Sequence, residues 1–119
     1  MKGIILFGHG SRSAEYVKPF ERLRERMLAS QPDAVVELGF LELTRPSLEE
    51  SIECIVRRGV TLVSIVPIFI GPGRHVLKDL PQLAANAMER FPGVEITLAA
   101  PVGEAQEVID AMAHFALNA

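Results

Sequence analysis

Two histidines in this chain stand in closely similar settings. His9 lies in Gly8-His9-Gly10-Ser11-Arg12 and His75 in Gly71-Pro72-Gly73-Arg74-His75, each after a strongly apolar stretch and each in a glycine-rich bend. If both stretches are parallel strands, the two imidazoles open onto the edge of the sheet where α/β proteins place their ligands. Glu42 follows the β-prone segment from Ala34 to Leu41 and would reach the same edge. Two imidazoles and one carboxylate suit cobalt, iron, nickel or zinc and leave coordination positions open.

Each of these residues has a plainer reading. His9 alone could be a loop histidine bonded to backbone, and His75 a polar neighbour in a bend whose glycines serve unusual dihedrals. Glu42 could support a helix dipole. Around them stand Arg12, Arg45, Arg74 and Lys78, with few acidic residues beyond Glu15, Glu42 and Asp79. Such a cluster suits carboxylates or phosphates, although any one member could simply be a solvated surface charge. Cys54 falls beside an apolar helical stripe and reads as a buried, inert thiol. His114 lies near the end of the last helix and suits the dipole there.

The elements that must position these groups follow from periodicity. Lys2 to Gly8 reads as a continuous apolar strand, and Tyr16, Phe20, Leu23 and Met27 recur at helical spacing between Glu15 and Ser30. After the strand from Ala34 to Leu41, Pro46 suits a first helical turn and Ser47 to Glu50 forms a capping box. Leu48, Ile52, Ile55 and Val56 face inward, and Gly59 stops that helix. Thr61 to Ile70 is the strongest strand. The helix after it carries Leu80, Leu83, Ala84, Ala87, Met88 and Phe91 on one face, ending at Pro92-Gly93. Val94 to Ala99 is a fourth strand, and a last helix from about Glu104 turns Val108, Met112 and Phe115 inward. Four strand-helix units imply an α/β fold: a three-layer α/β/α sandwich on a four-stranded parallel sheet, in the flavodoxin-like order 2-1-3-4. In that order the ends of strands one, two and three, carrying His9, Glu42 and His75, are neighbours.

Bulk properties narrow the function classes. A chain of 119 residues is expected to form one domain, 1–119, around a single core. Apolar residues make up 49%, with no Trp, and mean hydropathy is +0.25, as buried parallel strands or a subunit interface would require. The apolar run from Val60 to Ile70 is too short to span a bilayer, and the first strand does not read as a secretory signal. One cysteine excludes an internal disulfide framework and fits a reducing cytoplasm. A net charge of −3 argues against a general nucleic-acid binder. No Gly-x-Ser-x-Gly elbow, Walker loop or complete Gly-x-Gly-x-x-Gly follows any strand, so hydrolase, P-loop and dinucleotide readings lose weight.

Taken together, Gly8-His9-Gly10-Ser11-Arg12, Phe40-Leu41-Glu42, Val66-Pro67-Ile68-Phe69-Ile70, Gly73-Arg74-His75-Val76 and Asp79-Leu80-Pro81 resemble the small class II chelatases of the CbiX and SirB kind. The resemblance covers nearly the whole chain. Its most specific part is the spacing Pro-x-Phe-x-x-x-Gly-x-His-x-x-x-Asp-x-Pro around His75. Leu80 departs from the isoleucine common in the family, and Gly103-Glu104-Ala105 adds no further histidine.

The resemblance implies that a divalent ion, cobalt foremost and iron or nickel also acceptable, is inserted into sirohydrochlorin during cobalamin, siroheme or related tetrapyrrole biosynthesis. It implies that His9 and His75 bind the incoming metal and that Glu42 assists delivery or proton removal. Arg12 and Arg74, with Ser11, Lys78 and Arg45, become candidates for holding the ring's carboxylates. The metal is then a substrate, with no permanently bound cofactor, and the short chains of the family imply a homodimer. Two other classes stay open at this level. One is a metal-buffering chaperone that uses the same histidines without a macrocycle. The other is a phosphate binder that uses the glycine-rich bends as anion nests.

Overall fold

The structure is a computed structural model that describes residues 2–71 and 73–119, and all side chains among these except those of His75 and Leu77. Four parallel strands, β1 (Lys2–Gly8), β2 (Val35–Phe40), β3 (Leu62–Pro67) and β4 (Glu95–Leu98), lie in the order β2-β1-β3-β4, as the alternation of elements predicts. Four helices connect and follow them: α1 (Lys18–Ser30), α2 (Leu48–Arg57), α3 (Arg74–Arg90) and α4 (Gln106–Leu117).

The central strand β1 explains the layering. Ile5 and Phe7 point to one face and join Val35, Ile52, Ile55, Val63, Ile65, Leu80 and Ala84 in a core under α2 and α3. Leu6 points to the other face and packs with Val36, Phe40 and Phe20 of α1. Burial on both faces of a parallel strand accounts for its unbroken apolar run.

Local chemistry sets the ends of the elements. Ser47 caps α2: its hydroxyl accepts from the Glu50 N–H while the Glu50 carboxylate accepts from the Ser47 N–H. Pro46 therefore stands before the cap and not in the first turn. Gly59, at φ +86, closes α2 as expected. Strand β3 stops at Pro67 and not Ile70, because proline brings no N–H to the ladder. One further bond, from the Ile68 N–H to the Phe7 carbonyl (2.8 Å), carries the pairing past the strand end.

Four further expectations are corrected. His75 is not in the bend: Gly73 is the extended N-cap of α3, so residue 75 belongs to that helix's first turn. Met88 is exposed on the stripe expected to face inward. Cys54 is exposed, because it falls one position off the α2 face that carries Ile52 and Ile55. Helix α4 buries none of its residues: Val108 and Met112 are half-buried, and Phe115 is 77% exposed. The radius of gyration is 14.6 Å and the longest dimension 47 Å, against about 13.5 Å for a compact chain of this length.

Candidate metal centre

The β1–β2 pairing continues beyond both strands. The Leu41 N–H donates to the Gly8 carbonyl (3.0 Å) and the Glu42 N–H to the His9 carbonyl (3.1 Å). Residues 9 and 42, distant in the chain, are thereby locked side by side. His9 Nε2 lies 2.9 Å from Glu42 Oε1, and both side chains are about half exposed, at 47% and 54%.

Gly10 makes this approach possible. It adopts φ +100, and a Cβ there would stand 1.7 Å from the Glu42 carbonyl oxygen. Only glycine fits such a position. Gly8 is crowded less severely, by side-chain atoms only: the ring of Phe20 and the Tyr16 hydroxyl. The Tyr16 hydroxyl accepts from the Gly10 N–H (3.2 Å). Thr44 clamps the loop from the far side: its hydroxyl accepts from the Ser11 N–H and donates to the Ser11 carbonyl, both at 2.9 Å. Between Glu42 and Thr44 the chain makes a tight turn, closed by the Thr44 N–H on the Glu42 carbonyl (2.7 Å), with Leu43 at φ +63. A bulky residue in that conformation stores strain that the surrounding clamp must hold.

The spacing of the pair has chemical meaning. Two bonds of about 2.1 Å meeting at a right angle separate their donor atoms by about 3.0 Å, close to the 2.9 Å found between the His9 nitrogen and the Glu42 oxygen. The two groups thus stand at a separation that two ligands of one divalent ion also adopt, once both turn from each other toward the ion. The side chain of His75 lies outside the described residues. Its helical turn follows Phe69, which packs edge-on to Phe7 at 5.9 Å between centroids, and Ile68, whose N–H bonds to β1. The β3 exit is thus tied to the β1 exit that carries His9. Among the described residues no three His, Cys, Asp or Glu side chains converge as metal ligands.

The candidate anion anchors divide. Arg12, Arg74 and Lys78 are exposed. Arg74 and Lys78 are four residues apart on α3 and so share one helix face. Ser11 is half-buried, its hydroxyl taken by the Ser13 N–H at 3.1 Å. Arg45 is committed elsewhere, in an ion pair with Glu50. Its guanidinium, joined by the Ser47 N–H, holds the Glu50 carboxyl down to about 2.

That depression gives a pH prediction. A carboxylate more acidic folded than unfolded adds stability above its ordinary range, and the contribution is lost as pH falls toward its folded value. The thermal midpoints of wild type and Glu50→Gln should differ at neutral pH and converge as pH drops from about 5 toward about 2. A gap of constant size across that range would count against the assignment.

Sequence reasoning missed Thr44, Tyr16 and Leu43. No local pattern marks them: Thr44 acts on Ser11 across 33 positions. The loop at Gly103 also acquires a role. Its N–H donates to the Phe69 carbonyl (2.9 Å), and a Cβ on it would stand 2.2 Å from the Ile70 carbonyl oxygen. The β4 exit is therefore seated directly on the segment leading to His75.

Comparison with known proteins places these features in company. The CbiX family model matches residues 3–118. The sirohydrochlorin ferrochelatase of Bacillus subtilis is 33% identical over 115 residues, covering 96% of this chain and 44% of that protein. A CbiX protein from Marinobacter aquaeolei VT8 superposes with a TM-score of 0.86 at 31% identity, covering 99% of this chain and 96% of that one. The sirohydrochlorin chelatase SirB from Bacillus subtilis subspecies spizizenii, solved in complex with cobalt, gives a TM-score of 0.80 at 32% identity, covering 95% and 48%. This chain spans about half the length of the first curated relatives it matches.

Proposed function

Because the chain belongs to the CbiX family, we propose that it inserts a divalent metal ion, cobalt foremost and iron or nickel also acceptable, into sirohydrochlorin. The observation that carries this reading is the 2.9 Å pair of His9 and Glu42 at the exit of β1, beside the β3 exit that leads to His75. Relatives named sirohydrochlorin ferrochelatase and sirohydrochlorin cobaltochelatase support the substrate class without choosing the metal.

Insertion requires loss of two pyrrole protons and transfer of the ion from protein ligands to ring nitrogens. The ligands must therefore hold the ion yet release it, which a half-exposed, partly open site suits better than a closed structural one. His9 and His75 hold the incoming ion, and a histidine or Glu42 accepts a pyrrole proton as the ion leaves. Arg12 and Arg74, with Ser11 and Lys78 beside them, engage the ring's carboxylates. Arg45, bound to Glu50, contributes least. The metal is a substrate on this reading, no cofactor is permanently bound, the setting is cytoplasmic, and the working unit is a homodimer.

The test is an anaerobic insertion assay with sirohydrochlorin, comparing cobalt, iron and nickel through the visible spectrum of the macrocycle. A new metallated spectrum with at least one ion is expected. Metal binding with no spectral response from the macrocycle would overturn the chelatase reading in favour of metal buffering.

A further inference from the structure

We propose that Leu43, with Ile70 on the other side of β1, is an apolar contact for a face of the flat macrocycle, and that the strained backbone of Leu43 serves to hold its side chain out for that contact. The assignment rests on the sirohydrochlorin reading above and adds to it a determinant of macrocycle affinity that takes no part in holding the metal.

Leu43 runs against two rules of folding stability. Its φ of +63 is a conformation that bulky side chains rarely adopt. Its side chain is 59% exposed and belongs to neither buried core. Asparagine or glycine at this position would relieve the backbone and remove apolar surface from water. A single exposed leucine is ordinary on a protein surface; one held at positive φ beside a coordinating pair points to a use other than folding. The restraint on it is visible on both sides. The Glu42 N–H is bonded to the His9 carbonyl, the Thr44 N–H to the Glu42 carbonyl, and the Thr44 hydroxyl to both backbone groups of Ser11.

Strand order supplies an independent observation. Leu43 lies three residues past the end of β2 and Ile70 three residues past the end of β3. Strand β1, which leads directly into His9, runs between those two strands. Ile70 is 75% exposed although its backbone is seated against Gly103, so its side chain too is presented from a fixed position. Along the carboxyl edge of the sheet, His9 therefore has an exposed bulky apolar residue on either side.

Charge completes the pattern. Arg12, Arg74 and Lys78 bring exposed cations to the same edge. Coordinating groups set between apolar side chains, with cations nearby, are complementary to a flat ring whose faces are apolar and whose rim carries carboxylates. A phosphate or a free metal ion would leave Leu43 and Ile70 with nothing to cover.

The experiment uses the full chain and three measurements: titration with metal-free sirohydrochlorin followed by its absorbance, titration with cobalt in the absence of macrocycle, and thermal unfolding. Leu43→Asn should weaken macrocycle binding about tenfold, the scale of one lost buried apolar contact. It should leave cobalt binding unchanged and raise the thermal midpoint by a few degrees, because asparagine accepts positive φ. Leu43→Met keeps both the apolar reach and the strain, and should bind the macrocycle nearly as wild type does. Ile70→Asn should weaken macrocycle binding in the same sense without the rise in midpoint. Macrocycle binding by Leu43→Asn equal to that of wild type would overturn the proposal and leave the chelatase reading intact. A midpoint lowered by several degrees would also overturn it, since Leu43 would then be a packing residue. A wild type that neither binds nor metallates sirohydrochlorin would fail the chelatase reading itself, and this assignment with it.

Discussion

Replacing His9 by alanine, or His75 by alanine, should abolish the proposed insertion of metal into sirohydrochlorin while the protein stays folded. The expected loss is at least about 100-fold in turnover, the scale on which a positioned proton-transfer or ligand group acts. Folding should be little affected for His9. Its side chain is half exposed, and its bond to Glu42 is a surface contact worth at most about 1 kcal/mol. The thermal midpoint should therefore move by no more than a few degrees while the absorbance change of the macrocycle disappears. Glu42→Gln keeps a hydrogen-bonding partner for His9 but removes the anionic oxygen, so metal affinity should fall more than stability. Turnover within a few-fold of wild type in either alanine variant would sink the ligand assignment.

The second large effect is expected at a residue that touches no substrate. Gly10→Ala places a methyl group 1.7 Å from the Glu42 carbonyl oxygen, at a backbone φ of +100. Neither side can yield cheaply, since the obstacle is backbone and Glu42 is itself tied to His9 and Thr44. The cost should be on the order of 2–3 kcal/mol, the range for a residue forced into a sparsely populated conformation. That corresponds to a midpoint lowered by roughly 10 °C. Activity should fall further than stability does, because separating His9 from Glu42 by about 1 Å is enough to cost 100-fold in rate. Gly93→Ala is the control: a Cβ there meets nothing within 4 Å, and the substitution should be nearly silent. Equal effects at the two glycines would show that the loop's close approach to Glu42 is not what matters.

The limits of legibility follow from interaction range. Helix α2 could be located to within a residue, because Ser47 and Glu50 satisfy each other across three positions and Leu48, Ile52 and Ile55 keep helical spacing. Strand β1 matches its apolar run end to end. The start of α3 was less accessible: Gly73 reads as part of a bend, and only its extended cap conformation shows that the helix begins at Arg74. The α4 stripe misled for a different reason. Val108, Met112 and Phe115 do share a helical face, but periodicity states which residues want burial and says nothing of which surface supplies it.

By itself the sequence determined the α/β class, the strand order 2-1-3-4 and the candidates His9, Glu42 and His75, because apolar periodicity, short-range caps and right-handed crossovers are local or nearly universal rules. Only the tertiary structure decided that His9 meets Glu42 at 2.9 Å, that Gly10 must be glycine and that α4 stands off the sheet. Each of these depends on atoms brought together from distant parts of the chain or on a surface left uncovered. No window along a single strand of sequence contains both sides of such a contact.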